Sequence, residues 1–95
     1  MTAPNANFPG ADEIEEWFRN YIATLTGVTM GEVQGAADFE SFGIDSIQGV
    51  DMVTALETRL GMSEDLPLEY VFEASSISEA AQRVSDALRD GTIIS

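Results

Sequence analysis

The chain has 95 residues, no histidine, cysteine or lysine, and a net charge of -13 from seventeen acids against four arginines. That length sets one domain of modest stability, because a chain so short buries only about 60–65% of the surface it exposes when unfolded. The composition excludes disulfides and thiolate or imidazole metal sites, and the charge makes nucleic acid and anionic membranes poor partners.

Apolar residues make up 44% of the chain, enough for a core. No apolar run approaches the roughly 20 residues that span a bilayer. The N-terminus has no basic region followed by an apolar stretch, so no signal peptide is expected and the expected compartment is the cytoplasm. The excess of acids has two explanations at this level, solubility alone or attraction of basic proteins.

Residues 1–10 hold two prolines, two asparagines and a glycine without periodicity. They are expected to form a mobile tail, with Phe8 the side chain suited to dock. A first helix follows, because Ile14, Trp17, Phe18, Tyr21, Ile22 and Leu25 share one helical face. Asp12, Glu13, Glu15 and Glu16 sit in its first turns, where carboxylates favour the helix dipole, and Gly27 supplies a stop. Residues 28–45 form a long connection punctuated by Gly31, Gly35 and Gly43, with Val33, Phe39, Phe42 and Ile44 available to pin it. Loops of this length in small domains are often functional.

A second helix is expected from about Ser46 to Leu60, with Ile47, Val50, Val53, Leu56 and Leu60 as its buried stripe. Asp45 can cap it, with Gln48 three residues on, and Gly61 ends it. Gly49 costs about 1 kcal/mol relative to alanine inside a helix. Either another element passes close to the backbone there or the glycine is exposed and tolerated. After Pro67, residues 68–73 form a short helical segment with Leu68, Val71 and Phe72 inward. The last helix opens on a Ser76-x-x-Glu79 capping box, carries Ile77, Ala80, Ala81, Val84 and Leu88 on one face, and closes at Gly91. Ile93 and Ile94 remain as a short tail, residues 91–95. No strand pattern competes. The fold class is all-α, a small four-helix bundle with three longer helices, one short third helix and a long loop between the first and second.

Ser46 is the residue with chemistry to offer. It follows a glycine turn and an aspartate at the start of a helix, where a phosphate is stabilised. A hydrolase nucleophile elbow needs glycine two residues before and after the serine, where Ile44 and Gln48 stand. A triad needs a base, and neither histidine nor lysine is present. Residues 39–50 lack the alternating acids of a calcium loop, and no glycine-rich phosphate loop exists. No catalytic residue and no metal site is expected. Ser46 is then either a plain helix-capping serine or the anchor of an added group, and the Asp-Ser pair alone favours the former.

The wider context favours the latter. Gly43-Ile44-Asp45-Ser46-Ile47 resembles the G-x-D-S-[LI] motif of acyl carrier proteins. Residues 38–42, Ala55-Leu56-Glu57, Arg59-Leu60-Gly61, Leu66-Pro67, Val71-Phe72-Glu73 and Ser76-Ile77 resemble the surrounding segments in order. The match runs through all the helices, residues 11–89, and marks residues 11–90 as a carrier domain. The resemblance implies that Ser46 carries 4'-phosphopantetheine from coenzyme A, with Asp45 in support, and that the arm's thiol holds acyl groups as thioesters. It implies a non-catalytic protein and likewise names the partners: a phosphopantetheinyl transferase, then ketosynthase, acyltransferase and other synthase enzymes, met by a monomer. Helix two would be the recognition surface, with Ile47, Asp51 and Met52 exposed or half-exposed near the arm. Ile47 divides between core and contact, and Asp51 between contact and plain solvated acid.

Departures from the fatty-acid type bear on the pathway. Gln48, Gly49, Thr54, Thr58 and Arg59 dilute the acids of helix two, and Ser75-Ser76 stands where Pro-Thr is common. These favour the polyketide-synthase type, with fatty-acid or peptidyl carriers as the alternative and an unmodified acidic interaction module as the rival of another class. Met52 occupies the position of a tryptophan found in some carriers that take part in β-branching, so that specialisation gains no support.

Overall fold

The computed structural model describes residues 10–61 and 66–90. The expected N-terminal tail up to residue 9, Phe8 included, and the tail from Gly91 onward lie outside the described residues. Four α-helices are present, α1 (Ala11–Thr26), α2 (Ser46–Leu60), α3 (Glu69–Phe72) and α4 (Ile77–Asp90), with no strand among the described residues. The glycine stops act as the sequence requires. Gly27 and Gly61 take left-handed φ values of 83° and 67°, and the Gly27 N–H donates to the Ala23 carbonyl at 2.8 Å. At these positions a side chain would be strained.

The broadest contact is α1 on α4, with α3 packed against both α4 and α2. Ile14, Phe18 and Ile22 of α1 are buried with Ile77, Ala80, Ala81, Val84 and Leu88 of α4. The paired alanines leave room for α1 to approach, since interhelical distance follows side-chain size. Trp17 and Tyr21 are only partly buried and stack on each other one turn apart, their ring centroids 5.3 Å apart. Leu25, expected inside, is exposed in the last turn of α1, two residues before the Gly27 stop.

The long loop is ordered by two turns of 3-10 helix, Met30–Glu32 and Glu40–Phe42. The Glu32 carboxylate accepts from the Thr29 N–H at 3.0 Å, a reciprocal cap within one short turn. Three kinds of anchor then hold the loop to the bundle. Val33, Phe39 and Ile44 are buried, and Phe39 meets Phe18 edge-to-face at 5.3 Å. Arg19 of α1 donates from Nε to the Val33 carbonyl at 2.6 Å and from Nη2 to the Met30 carbonyl at 2.9 Å. The first amides of α4 donate outward as well, Ile77 to the Ala37 carbonyl at 2.8 Å and Ser78 to the Gly35 carbonyl at 2.9 Å. Those amides have no partner inside their own helix, so the loop completes α4 while α4 positions the loop.

Gly35 permits this closeness. A Cβ there would lie 2.1 Å from Glu15 Oε2 and 2.4 Å from Ser78 Oγ. At the α4 start, the Ser76 hydroxyl accepts the Glu79 N–H at 3.0 Å, as the box requires, but the Glu79 carboxylate reaches back to the N–H and hydroxyl of Ser75. The reciprocal partner is therefore one residue earlier than the motif placed it.

The buried face of α2 differs from the expected stripe. Gly49, Met52, Val53 and Leu56 are buried. Ile47 and Val50 are exposed, Ile47 at 74%. Ile47 and Leu56 are nine residues apart, which at 100° per residue puts them about 180° apart on the helix. Leu68 and Phe72, expected inward around α3, are also partly exposed, while Val71 alone of the three is fully covered.

Candidate functional site

The segment before α2 is shaped by one glycine and one buried isoleucine. Gly43 adopts φ 79°, which reverses the chain, and its N–H donates to the Glu40 carbonyl at 3.0 Å. Ile44 is buried and its N–H donates to the Phe39 carbonyl at 3.2 Å, so the residues that follow are delivered to a fixed place. Asp45 is extended, with φ -89° and ψ -169°, as an N-cap residue must be. Its Oδ1 accepts the Gln48 N–H at 3.0 Å, and its carbonyl accepts the Gly49 N–H at 2.7 Å. Of the box-like arrangement read from the sequence, this half is formed.

Ser46 is the first residue of α2 and is exposed. Because Asp45 takes the capping role, Ser46 is not needed for it, and its hydroxyl is accessible. No acid occupies the first turn of α2, in contrast to Asp12 and Glu13 in α1. The cap uses the Gln48 amide and leaves those of Ser46 and Ile47 to solvent or to an anion at the positive end of the dipole. The chemistry of a covalently attached phosphodiester fits that position.

Ser46 borders a cleft of about 460 Å³. Asp38, Glu40 and Asp45 contribute carboxylates to it, Val71, Phe72 and Ala74 line it from α3 and the turn beyond, and the buried Phe39 and Ile44 form its base. Asp38 is tied down locally. Its Oδ1 accepts from both the hydroxyl and the N–H of Ser41, the latter at 2.9 Å, and these bonds, the hydroxyl's foremost, hold the carboxyl below the ordinary range. Glu79 is held low in the same way, first by the Ser75 hydroxyl and then by the Ser75 N–H, with Arg83 adding a smaller pull.

Of the residues marked for recognition, Ile47 and Asp51 are exposed on α2. Met52 is corrected: it is 0% exposed, within the core beside Val53 and Leu56. It lies one turn before Leu56 and so shares its face, and its flexible thioether chain fills the interior there.

The Gly49 alternative is decided in favour of close approach. A Cβ at residue 49 would lie 1.9 Å from Cζ of Phe72, and the three nearest atoms all belong to that ring. Phe72 thus rests on the backbone of α2, one turn below Ser46. Sequence reasoning missed Arg19, although it is the only cation before Arg59 and stands in a helix full of acids. That isolation was the available signal that it has structural partners.

Comparison with known proteins adds an independent line. The family model described as "Phosphopantetheine attachment site" matches residues 16–84, a span that includes Ser46. The iterative polyketide synthase afoE of Emericella nidulans is 33% identical over 79 residues, covering 83% of this chain and 3% of that protein. A non-reducing polyketide synthase of Aspergillus terreus is 29% identical over 79 residues, again 83% of this chain and 3% of that protein. The chain therefore spans only a small part of the length of these relatives. No solved structure matches it. The helical bundle, the serine at a capped helix start and the family match together place this chain in the phosphopantetheine attachment family, whose domains are carriers that take 4'-phosphopantetheine covalently.

Proposed function

We propose that Ser46 is the attachment residue and that residues 11–90 form a carrier domain for acyl intermediates, serving polyketide biosynthesis. The observation that carries the assignment is the accessible Ser46 hydroxyl at the start of α2, released from capping duty by Asp45. In the attachment step, Ser46 Oγ bonds to the phosphorus of the phosphopantetheine half of coenzyme A. The adenosine bisphosphate half leaves, and the hydroxyl proton passes to the visiting transferase.

When bound, the arm supplies a thiol that holds acyl groups as thioesters. The chain's own residues hold its root: the α2 amides and dipole favour the phosphodiester, and Gly43 and Ile44 fix where it stands. The chain serves as a substrate for other enzymes and not as a catalyst, in keeping with the absence of histidine, lysine and cysteine. Its partners are a phosphopantetheinyl transferase, ketosynthase, acyltransferase and related synthase enzymes, met by a monomer in the cytoplasm. Ile47 and Asp51, exposed just after Ser46, are the recognition residues. The likeness to two polyketide synthases supports the pathway. No helix among the described residues is long and apolar enough to cross a membrane.

Intact-protein mass after incubation with a broad-specificity transferase and coenzyme A tests the assignment. The wild-type chain gains one phosphopantetheine and Ser46→Ala gains none. An unmodified wild-type chain, under conditions that modify a control carrier, returns it to the class of acidic interaction modules.

A further inference from the structure

The loop before Ser46 carries two turns of 3-10 helix, and each is closed by an exposed acid. At Met30–Glu32, Glu32 Oε1 accepts the N–H of Thr29 at 3.0 Å and its hydroxyl at 3.2 Å. At Glu40–Phe42, Asp38 Oδ1 accepts the N–H of Ser41 at 2.9 Å and its hydroxyl as well. The two acids play the same local part at opposite ends of the loop.

The turn closed by Asp38 hangs between two fixed points. Behind it, the Ala37 carbonyl accepts the Ile77 N–H of α4 at 2.8 Å. Ahead of it, Asp45 caps α2. Between these points every backbone N–H from Ser41 to Asp45 has an acceptor. Ser41 donates to the Asp38 side chain. Phe42 and Ile44 donate to the Phe39 carbonyl at 3.1 and 3.2 Å, Gly43 to the Glu40 carbonyl at 3.0 Å, and Asp45 to the Gly43 carbonyl at 3.1 Å. Phe39 and Ile44 are buried, so the run is pinned to the core at both of them. The Asp38 carboxylate is the side-chain acceptor in this run, and it supplies the first link. Asp38 and Ser46 also border the same cleft. The Met30–Glu32 turn is tied elsewhere, to α1, by Arg19 on the Met30 and Val33 carbonyls.

We infer that Asp38 is a positioning residue for the modification of Ser46: its carboxylate sets the turn over residues 39–44, and that turn sets where the serine hydroxyl stands. The inference rests on the carrier assignment. Asp38 acts through its hydrogen bonds and not through its charge, so an uncharged acceptor of the same shape serves in its place. Asparagine keeps that acceptor and alanine removes it. A small movement of Ser46 matters, because displacing a reacting atom by about 1 Å costs up to about a hundredfold in rate.

The test measures kcat and KM for modification of the full chain by a broad-specificity phosphopantetheinyl transferase with coenzyme A. It is run at a temperature where circular dichroism shows every variant folded. Asp38→Ala lowers kcat about tenfold and leaves KM within about twofold. Asp38→Asn keeps kcat within about threefold of wild type, since a neutral acceptor makes a weaker bond than a charged one. Glu32→Ala removes the same charge and a like pair of bonds from the other turn, and it leaves both constants unchanged. Both alanine variants lower Tm by a similar amount, on the order of 5 °C. In proton–nitrogen NMR spectra the Ile44 and Ser46 amide signals move in Asp38→Ala and hold still in Glu32→Ala.

Equal losses in Asp38→Asn and Asp38→Ala would make Asp38 a charged contact with the transferase and overturn the inference. An equal loss in Glu32→Ala overturns it too, because general loop stability is then the cause. So does a wild-type kcat in Asp38→Ala. Failure of the wild-type chain to accept the arm removes the carrier assignment instead, and the amide signals still decide whether Asp38 fixes the place of Ser46.

Discussion

Gly49→Ala sets two effects of known size against each other. Alanine is worth about 1 kcal/mol more than glycine within a helix. The new Cβ, however, would stand 1.9 Å from Phe72 Cζ and 2.4 Å from Cε1, so the ring must leave. Full burial of a phenylalanine contributes about 1.5–3 kcal/mol, and this ring, on a residue 39% exposed, supplies about 1–2 kcal/mol of that. The substitution in the wild-type chain therefore costs about 0–1 kcal/mol net, where propensity alone promises a gain. Made in a Phe72→Ala background, the same substitution meets no ring and stabilises by about 1 kcal/mol. At about 4–8 °C per kcal/mol for a domain of this size, the contrast is readable in thermal melts. The assay is a double-mutant cycle of four chains, unfolded by heat and by urea and followed by circular dichroism, with an expected coupling of about 1–2 kcal/mol. Equal stabilisation by Gly49→Ala in both backgrounds would refute the contact between α3 and the backbone of α2.

Met52→Ala should lower stability by about 2–5 kcal/mol in urea unfolding, because Met52 is wholly buried. A solvent-facing contact residue would change it by no more than about 0.5 kcal/mol. Arg19→Met leaves the Met30 and Val33 carbonyls without their guanidinium donor. A cost of about 2–3 kcal/mol is expected, with faster hydrogen exchange at the Val33 amide and little change in α4. Acid should act at two places, Asp38 and Glu79. Both carboxyls titrate lower in the folded chain than in the unfolded one, so their contribution is whole above about pH 5 and is lost as the pH falls through their folded values. Carboxyl-carbon NMR should show the Asp38 midpoint rising in Ser41→Ala and the Glu79 midpoint rising in Ser75→Ala. Unmoved midpoints would remove the assigned cause.

Much of this protein was determined locally, and there the sequence sufficed. The α2 boundaries, Ser46 to Leu60, follow from Asp45 as a cap and Gly61 as a left-handed stop, both effects of a few neighbouring backbone groups. The candidate attachment site was legible only through the ordered run of carrier-like segments from residue 11 to residue 89, since the Asp45-Ser46 pair alone favoured a plain capping serine. The mixed face of α2 was not. Ile47, Val50, Met52, Val53 and Leu56 are all apolar, and composition does not say which of them a neighbour will cover. Strict 100° spacing from Leu56 would have put Ile47 outside, but Val50 and Met52 needed the positions of α1, α3 and α4. Arg19 on the loop carbonyls, the loop closing the first turn of α4 and Phe72 resting on Gly49 were decided in the same way. Each joins segments distant in the chain, so each depends on where the packed core leaves its two partners and on no property of either segment alone.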